Sequence, residues 1–242
     1  MRLSIVVPVR NEADNILPLL AEVHAAVENG GNFEVIYVDD GSTDATPARL
    51  ADAMVRYPRL RVLAHERSCG QSAALVTGFR AARGEWIATL DGDGQNDPAD
   101  IAKLIAARDG AGRPANLQLV AGYRTKRQDS WLKRFSSRVA NGVRSRLLGD
   151  ATPDTGCGLK LILRSAVLEL PVFDHMHRFL PALIQRNGGT TVSVEVSHRP
   201  RRHGTSSYGT LDRLWVGIVD LFGVMWLQRR LRRPRVSERP RA

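Results

Sequence analysis

Residues 86–98 read Trp86-Ile87-Ala88-Thr89-Leu90-Asp91-Gly92-Asp93-Gly94-Gln95-Asn96-Asp97-Pro98. The first five are apolar or β-branched and predict a buried strand, after which Asp91 and Asp93 emerge where the chain turns. Two carboxylates held that close repel each other unless a cation neutralises them, and oxygen ligands of this kind suit Mg²⁺ or Mn²⁺. Asp and Gly are also ordinary turn residues. Taken alone, the stretch fits a metal site or a solvated turn.

Two more specific sites built on clustered acidic residues do not fit this stretch. An EF-hand calcium loop counted from Asp91 requires Gly at its sixth position and Glu at its twelfth, where this chain has Asn96 and Ala102. A phosphatase with an aspartyl nucleophile normally carries its acidic pair after the first strand, whereas this pair follows about the fourth predicted strand. The surrounding chain must therefore decide between a metal site and a turn.

The composition is that of one globular domain with a strongly basic end. The chain has 242 residues, 43% of them hydrophobic, which is enough for one substantial core and short for two domains. Cys69 and Cys157 have no zinc-like spacing, so we expect a reducing compartment and no disulfide framework. The net charge is +10, and residues 197–242 contain eleven Arg against three acidic residues, which places +8 in that last segment.

Short apolar runs alternate with amphipathic segments along the first half of the chain. The run from Leu3 to Val9 is closed by Arg10 and Glu12, too early for a signal peptide, and predicts a first strand. Further strands are predicted over 33–38, 60–64, 85–90 and 117–122, and helices over 11–28, 43–57, 71–83 and 98–108, with Ser42 or Thr43 capping the second helix. This order predicts right-handed βαβ units and a mainly parallel sheet, whose ligands bind at the carboxyl ends of the strands.

Three polar turns are predicted at those carboxyl ends. They are Pro-Val-Arg-Asn-Glu over 8–12, Asp-Asp-Gly-Ser over 39–42 and Asp-Gly-Asp over 91–93, and we expect them to converge on one face. The first strand is not followed by G-x-G-x-x-G, and the chain has no G-x-x-x-x-G-K-[ST], which argues against an NAD site and excludes a P-loop. A bound nucleotide would then be held by acidic groups on its base and ribose, and by a metal and arginines on its phosphates.

Four motifs in order give the chain a specific resemblance. They are Pro8-Val9-Arg10-Asn11-Glu12, Val38-Asp39-Asp40-Gly41-Ser42-Thr43-Asp44, Leu90-Asp91-Gly92-Asp93-Gly94-Gln95 and Arg201-Arg202-His203-Gly204-Thr205-Ser206-Ser207-Tyr208. From about residue 4 to residue 208 the chain resembles glycosyltransferase family 2, and within it the branch of dolichol-phosphate mannosyltransferases and undecaprenyl-phosphate glycosyltransferases. The resemblance implies an α/β fold of GT-A type, with a Rossmann-like, mainly parallel sheet flanked by helices and a C-terminal amphipathic helix. We expect a catalytic domain over 1–209, the helix over 210–233 and a basic, disordered tail over 234–242.

The resemblance also implies the residues of a nucleotide-sugar site. The family's binding positions correspond here to Pro8, Arg10, Glu12, Val38, Asp40, Asp91, Gly92, Asp93, Gln95, Arg124, Arg201, Ser206 and Ser207. Val38 and Asp40 would contact the base, and Asp91, Asp93 and Gln95 would face the metal, Mg²⁺ or Mn²⁺. Arg10 and Ser207 depart from the family pattern, since many relatives carry an aromatic residue and Lys at these two positions.

Catalytic roles are implied for Asp93, Asp154 and Arg201. Asp154 corresponds to an acidic position near the acceptor, where it would act as a base or orient another group. Arg124 and Arg201 correspond to arginines near the sugar-diphosphate. Because donor and acceptor phosphates repel each other, the cations of Arg199, Arg201 and Arg202 are expected to lie beside them, although such a cluster can also be a solvated basic face.

The segment 211–227 is mostly apolar and predicts a helix with one narrow stripe of Arg213, Gly217, Asp220 and Gly223. It is too short for a comfortable membrane span and predicts an interfacial helix, with Trp215 and Trp226 at headgroup level and the arginines of 229–235 on anionic lipid. The alternative is a helix that packs on the catalytic domain or on a partner chain, such as an integral membrane protein.

These features predict a metal-dependent, inverting glycosyltransferase that moves a sugar from GDP-mannose or a UDP-hexose to a polyprenyl phosphate. We expect a peripheral protein on the cytoplasmic face of the cell membrane. One alternative is the same fold acting on a soluble or cell-envelope glycan acceptor, and another is a non-catalytic module that binds nucleic acid. The latter is disfavoured, and no nucleic-acid partner is expected, because the basic residues follow an apolar helix instead of lining a groove with aromatic residues.

Overall fold

A seven-stranded sheet forms the centre of the molecule. The computed structural model describes residues 2–125, 142, 144–150, 152–200 and 210–232, without the side chains of residues 29 and 210–215. The strands are β1 (Leu3–Val9), β2 (Phe33–Asp39), β3 (Leu60–Ala64), β4 (Trp86–Thr89), β5 (Leu117–Arg124), β6 (Lys160–Leu163) and β7 (Thr190–Val196). Their order is β3-β2-β1-β4-β6-β5-β7, in which only β6 runs antiparallel to its neighbours. The predicted mainly parallel sheet is confirmed.

Helices pack on both faces of this sheet. They are α1 (Ile16–Val27), α2 (Thr46–Arg56), α3 (Gln71–Ala81), α4 (Ile101–Asp109), α5 (Arg164–Leu168), α6 (Leu180–Arg186) and α7 (Thr210–Arg230). Successive residues of a strand point to opposite faces, so β1 contributes to two apolar clusters. Ile5 and Val7 belong to the cluster that contains Leu20 of α1, and Val6 belongs to the one that contains Phe79 of α3. The sheet is therefore buried on both sides, as parallel sheets usually are.

Two helices begin later than the sequence predicts, and local hydrogen bonding explains both differences. Asn11 has a φ of 56°, a left-handed value that a helix cannot continue through, so α1 starts beyond it. The carboxylate of Asp44 accepts the backbone N–H of Thr46 at 2.9 Å, so Asp44, and not Ser42 or Thr43, satisfies the start of α2. The polar turns before both helices are consequently longer than expected, and they lie at the edge of the sheet.

Strand β6 is not predicted by the sequence, although it does much to place the site. It pairs antiparallel with β4, with Lys160 opposite Thr89. The hydroxyl of Thr89 donates to the carbonyl of Gly158 at 2.6 Å, which holds the chain before β6 beside the carboxyl end of β4. Gly158 lies so close to Asp91 that a methyl group at this position would overlap the Asp91 carboxylate. A distant part of the chain thus reaches the acidic turn.

One side of α7 packs on the rest of the domain. Val224 is fully buried in the apolar cluster on the α3 face of the sheet. The guanidinium of Arg186 donates to the carbonyl of Leu227 at 2.9 Å, and the side chain of Gln228 donates to the carbonyl of Leu148 at the same distance. The alternative interpretation of this helix, packing on the catalytic domain, therefore holds for one of its faces.

The opposite side of α7 exposes large apolar side chains. Val219, Phe222 and Trp226 are 53%, 63% and 58% exposed. Asp220, the acidic member of the expected polar stripe, faces the domain instead, and one of its carboxylate oxygens lies 3.2 Å from the Nδ1 atom of His175. In the part of the chain that the structure describes, no helix combines the length and apolar character needed to cross a bilayer.

Candidate active site

The carboxyl ends of β1, β2 and β4 meet at one edge of the sheet and open into a cavity of about 290 Å³. We call it the first cavity. Its lining residues are Pro8, Val9, Arg10, Glu12, Asp40, Ser68, Gly70, Gln71, Ala74, Asp91, Gly92 and Asp93. The structure thus brings together seven residues for which the sequence predicts a nucleotide-sugar site, namely Pro8, Arg10, Glu12, Asp40, Asp91, Gly92 and Asp93.

Asp91 and Asp93 form the acidic pair of this cavity. The carboxamide of Gln71 donates to Asp91 at 2.8 Å, and the backbone N–H of Gln95 donates to Asp93 at 3.1 Å. Burial and the nearby negative charge of Asp93 together raise the pKa of Asp91 to about 6, while the cation of Lys160 opposes the change. The two carboxylates are therefore held together at a cost that a bound cation would offset.

This donor set fits a divalent metal ion. Both groups offer hard carboxylate oxygens, and burial together with their mutual repulsion raises the pKa of Asp91 in spite of the nearby cations of Lys160 and Arg124. Asp91 and Asp93 are the residues that would hold Mg²⁺ or Mn²⁺. Gln95 lines neither this cavity nor the second one described below, so its predicted metal contact stays a prediction.

Asp40 acts as the centre of a hydrogen-bond cluster in the wall of the first cavity. Its carboxylate accepts from four donors at 2.7–2.9 Å, which are His65 Nδ1, Ser68 Oγ and the backbone N–H groups of Cys69 and Gly70. Burial alone would raise the pKa of Asp40, but these hydrogen bonds outweigh it and hold that pKa below its ordinary value. These four hydrogen bonds use the usual acceptor capacity of a carboxylate, so the structural role of Asp40 is to hold the loop 65–70 in place. The sequence reasoning missed this loop.

The same neighbourhood contains the one three-ligand grouping found among the described residues. Asp40, His65 and Cys69 place one potential ligand atom each within 4.8 Å of one another. The imidazole is already engaged on both sides, since its second nitrogen lies 2.9 Å from the hydroxyl of Thr77. The thiol of Cys69 donates to the carbonyl of Arg67 at 3.4 Å. These hydrogen bonds indicate a structural cluster and not a metal centre.

Val38 is not among the residues that line the first cavity, and its predicted place at the base stays a prediction. Its side chain is fully buried and belongs to the apolar cluster of Val6 and Ile36. The alternation of β2 explains this, because the residue before Asp39 must point toward α3 and the sheet interior. A contact between the Val38 side chain and a nucleotide base is therefore not supported.

A second cavity of about 340 Å³ adjoins the first and shares Gln71 and Asp91 with it. Its lining residues are Gln71, Leu75, Thr89, Leu90, Asp91, Arg124, Gly156, Cys157, Gly158, Lys160, His177, Arg178 and Leu180. Three of them are Arg or Lys. The sequence reasoning assigned Arg124 to this region but missed Gln71, Lys160, His177 and Arg178. Lys160 lies six residues after Asp154, whereas no local motif indicates the others.

Asp154 and Arg124 form a buried, two-point ion pair beside the second cavity. Arg124 Nε donates to one carboxylate oxygen of Asp154 at 2.7 Å, and a terminal guanidinium nitrogen donates to the other at 3.1 Å. Burial would lower the pKa of Arg124, but Asp154 outweighs it and keeps the guanidinium charged. Asp154 therefore fixes the direction of Arg124, which lines the cavity.

His177 is an uncharged polar group in the second cavity. Burial, with the nearby cation of Lys160, lowers the pKa of His177 to about 3. Its Nδ1 atom lies 2.8 Å from the hydroxyl of Ser72, near the start of α3. This contact fixes the ring plane, so that the imidazole offers a hydrogen bond without adding charge.

Arg199 is paired with two carboxylates, and its predicted place beside the donor and acceptor phosphates stays a prediction. Its guanidinium is held by Glu22 and Asp97, each at 2.6 Å, and its backbone N–H donates to the carbonyl of Gln95 at 3.0 Å. Arg199 therefore connects the chain after β7 to α1 and to the acidic turn. The remaining predicted residues of this region, Arg201, Arg202, Ser206 and Ser207, lie outside the described residues.

Comparisons with known proteins agree with this arrangement. The sequence profile described as "Glycosyl transferase family 2" matches residues 4–170. The chain is 38% identical to the dodecaprenyl-phosphate galacturonate synthase of Rhizobium johnstonii, across 97% of this chain and 69% of that protein. It is 37% identical to the undecaprenyl-phosphate 4-deoxy-4-formamido-L-arabinose transferase of Edwardsiella ictaluri, across 86% of this chain and 63% of that protein. The chain thus spans less than two thirds of the second relative.

The fold also occurs in a solved glycosyltransferase. The structure of glucosyl-3-phosphoglycerate synthase from Mycobacterium tuberculosis in complex with Mn²⁺, UDP and phosphoglyceric acid superimposes with a TM-score of 0.70. The match covers 96% of this chain and 80% of that one, at 21% identity, which supports a common GT-A type fold. Sequence profile, close relatives and fold agree, and the chain belongs to glycosyltransferase family 2.

Proposed function

We propose that this protein is a metal-dependent, inverting glycosyltransferase that moves a sugar from a nucleotide-sugar to a polyprenyl phosphate at the cytoplasmic surface of a membrane. The observation that carries the proposal is the meeting of two cavities at the Asp91 carboxylate. The first, with its acidic pair, fits a nucleoside diphosphate with its metal. The second, with its cations, fits the reacting sugar and the approaching acceptor. Relatives named for polyprenyl-phosphate products support the acceptor class.

The transfer would be a single displacement at the anomeric carbon of the donor sugar. The bond from that carbon to the diphosphate breaks, and the nucleoside diphosphate leaves with the electron pair. An oxygen of the acceptor phosphate forms the new bond from the opposite face, which inverts the configuration. A divalent cation held by Asp91 and Asp93 would supply positive charge for the departing diphosphate.

Within this reaction we assign Asp154 to orientation and not to proton removal. A lipid phosphate is mostly ionised at neutral pH, by analogy with other phosphate monoesters, so the attacking oxygen needs no base. Asp154 is buried and engaged at two points with Arg124. The pair would hold the guanidinium toward the phosphates, where its charge reduces their repulsion.

The exposed apolar face of α7 supports attachment to the membrane that contains such an acceptor. Val219, Phe222 and Trp226 point away from the domain, and the exposed Arg229 and Arg230 follow them directly. Apolar side chains can enter the headgroup boundary, and each basic residue near an anionic surface adds about 1 kcal/mol of attraction. The helix would therefore use its buried face to hold the domain and its exposed face to bind lipid.

A donor screen with the full chain tests the enzymatic proposal. Detergent micelles or vesicles containing a polyprenyl phosphate are mixed with UDP- and GDP-sugars, including GDP-mannose, and with Mg²⁺ or Mn²⁺. UDP-sugars are tested first, because the solved neighbour of this fold contains UDP. We expect metal-dependent release of one nucleoside diphosphate together with a sugar-bearing lipid phosphate. Transfer to a soluble glycan with no use of the lipid would select the alternative acceptor class.

Co-sedimentation with anionic vesicles tests the membrane proposal. Replacing Phe222 and Trp226 by Ser should release the protein from the vesicles, because both side chains are exposed and their loss leaves the core intact. Val55→Ser, at an 85% exposed site on α2, is the matched control and should sediment like the unmodified chain. Added salt should weaken binding by screening the arginines. Equal sedimentation of all three proteins would show that α7 does not bind the membrane.

A further inference from the structure

The least expected side chain of the second cavity is Lys160. It is 3% exposed, and its ammonium donates to the carbonyls of Thr155, at 3.4 Å, and of Cys157. Among the ion pairs within 4.0 Å that join described residues, none includes Lys160. A buried ammonium without a contacting anion is costly, and such groups usually meet a charged partner or a ligand. Lys160 therefore points to an anion that enters the cavity.

The charges already present in the cavity leave room for that anion. Arg124 is matched by Asp154 at two points. Burial lowers the pKa of Lys160, so an anion bound beside it would favour its charged form. Asp91 attracts Lys160 only at longer range, and a divalent cation on Asp91 would take up that negative charge. With donor and metal in place, the Lys160 ammonium would therefore have no contacting anion among the described residues.

The position of Lys160 limits which anion can reach it. The diphosphate would stay with the metal at Asp91 and Asp93, on the side of the first cavity. The acceptor phosphate carries a long prenyl chain that has to remain in the membrane, whereas Lys160 lies at a buried strand start, opposite Thr89 of β4. The cavity volume of about 340 Å³ corresponds to roughly eleven waters in the liquid, which suits a sugar ring better than a phosphate alone.

We propose that Lys160 recognises a carboxylate on the donor sugar, so that the donor is a nucleotide-activated uronic acid. This proposal rests on the proposed function and specifies its substrate class. The carboxylate replaces the missing partner of the Lys160 ammonium. The neutral imidazole of His177, fixed by Ser72, accepts or donates a hydrogen bond to a ring hydroxyl without adding to the charge.

Donor binding by calorimetry, with the full chain, Mn²⁺ and no acceptor, tests the proposal. The probes are two matched pairs, UDP-glucuronate with UDP-glucose and UDP-galacturonate with UDP-galactose. We expect at least one uronate to bind about tenfold or more tightly than its neutral partner, as for a charge-assisted contact in a buried site. Lys160→Met should remove this preference while binding of the neutral sugars changes little. Lys103→Met, at an exposed site on α4, is the control and should keep the preference.

Lys160→Met should fold, since an apolar side chain of similar length replaces a buried charge, and Lys160→Gln is the second variant if it does not. Equal binding of acidic and neutral donors by the unmodified chain would overturn the proposal. So would a Lys160 variant that weakens both members of a pair alike, which would indicate a contact with the diphosphate. A variant that raises only the KM for polyprenyl phosphate would assign Lys160 to the acceptor. Failure of every sugar to transfer would contradict the proposed function, while the donor preference would still be measurable.

Discussion

At the residue scale, three carboxylates near the two cavities differ in their partners and hence in what they can do. Asp40 accepts four hydrogen bonds and supports a loop. Asp154 is paired with Arg124 at two points and orients it. Asp91 shares its surroundings with Asp93 and has a pKa raised to about 6. Only the last environment is improved by a bound divalent cation, which is why we assign the metal to Asp91 and Asp93.

The raised pKa of Asp91 predicts how metal affinity depends on pH. Below about pH 6 the metal must displace a proton from Asp91, so Mn²⁺ affinity should fall about tenfold for each further pH unit and level off above pH 7. In the metal-free protein, the free energy of unfolding changes with pH in the opposite direction to the metal affinity. Because the folded pKa lies above the ordinary value of 3.8, the contribution of Asp91 to the free energy of unfolding should decrease as pH rises from about 4 to about 6.

Mn²⁺ titrations at pH 5, 6 and 7.5, together with denaturant unfolding of the metal-free protein, check both effects. Asp91→Asn should abolish tight metal binding and flatten the change in stability between pH 4 and 6. A metal affinity that is constant from pH 5 to 7.5 would contradict the assigned role of Asp91.

Gly158→Ala should damage the site while sparing the fold. A methyl group here would overlap the Asp91 carboxylate, and that side chain can move aside more easily than backbone can. We expect a Tm within a few degrees of the unmodified protein and a loss of roughly tenfold or more in transfer and in Mn²⁺ affinity. Gly112→Ala, where no atom lies within 4 Å of the new methyl group, is the control. Unchanged metal affinity in Gly158→Ala would show that Asp91 need not occupy its present position.

At the scale of elements, the sequence predicts what local pattern determines. The first five strands, β1 to β5, are predicted because each is an apolar run in the sequence. Asp91 and Asp93 are predicted as site residues because they follow the apolar run over 86–90. Strand β6 is four residues long and begins with a buried Lys, so no apolar alternation marks it. Residues that reach the site through β6 and the segment before α6, such as Lys160 and His177, depend on long-range pairing that local pattern does not encode.

Arg199 is a residue for which the local sequence suggests one set of contacts and the fold supplies another. Its neighbours in sequence, Arg201 and Arg202, suggest a cationic cluster, whereas the fold brings it against Glu22 and Asp97. A carboxylate far away in sequence thus decides what an arginine does. Val38 is comparable, because its motif suggests a ligand contact while strand alternation points its side chain into the core.

The hydrogen-bond cluster of Asp40 yields a prediction about the loop over 65–70. Asp40→Asn replaces one carboxylate oxygen by an NH₂ group, which cannot accept a hydrogen bond. Two groups that now donate to this oxygen, such as the Ser68 hydroxyl and the Gly70 N–H, would lose their acceptor. We expect the free energy of unfolding to fall by about 1–3 kcal/mol. Binding of the nucleotide-sugar should weaken to the same extent for every nucleotide. Urea unfolding and donor calorimetry measure these effects, with the exposed Asp52→Asn on α2 as the control. Unchanged stability with altered preference between UDP and GDP would instead place Asp40 at the base.

At the scale of the whole molecule, α7 joins the catalytic core to the surface that would meet the membrane. The helix contributes Val224 to the core, its Asp220 faces His175, and the segment that carries His175 also carries His177 and Arg178 of the second cavity. Removal of α7 would therefore uncover part of the domain as well as removing the lipid-binding face. Substitutions on one face at a time separate these two roles.

Val224→Ala should lower stability without affecting vesicle binding. Its side chain is fully buried, so truncation removes apolar contacts and leaves a small cavity worth about 1–3 kcal/mol of unfolding free energy. The Phe222 and Trp226 substitutions should show the reverse pattern, with stability retained and vesicle binding lost. Thermal unfolding and co-sedimentation of both variants provide the comparison. Loss of both properties in either variant would mean that the two faces of α7 are not independent.

The most direct test of the proposed function is whether the sugar becomes attached to a lipid phosphate through the Asp91–Asp93 site. The full chain is incubated with Mn²⁺, the donor selected by the screen and either polyprenyl phosphate or the corresponding polyprenol. The lipid products are identified by mass spectrometry. We expect a sugar-bearing product from the phosphate and none from the polyprenol, and loss of that product in Asp93→Asn with the fold retained. A product from the polyprenol, or full activity of Asp93→Asn, would contradict the proposed function.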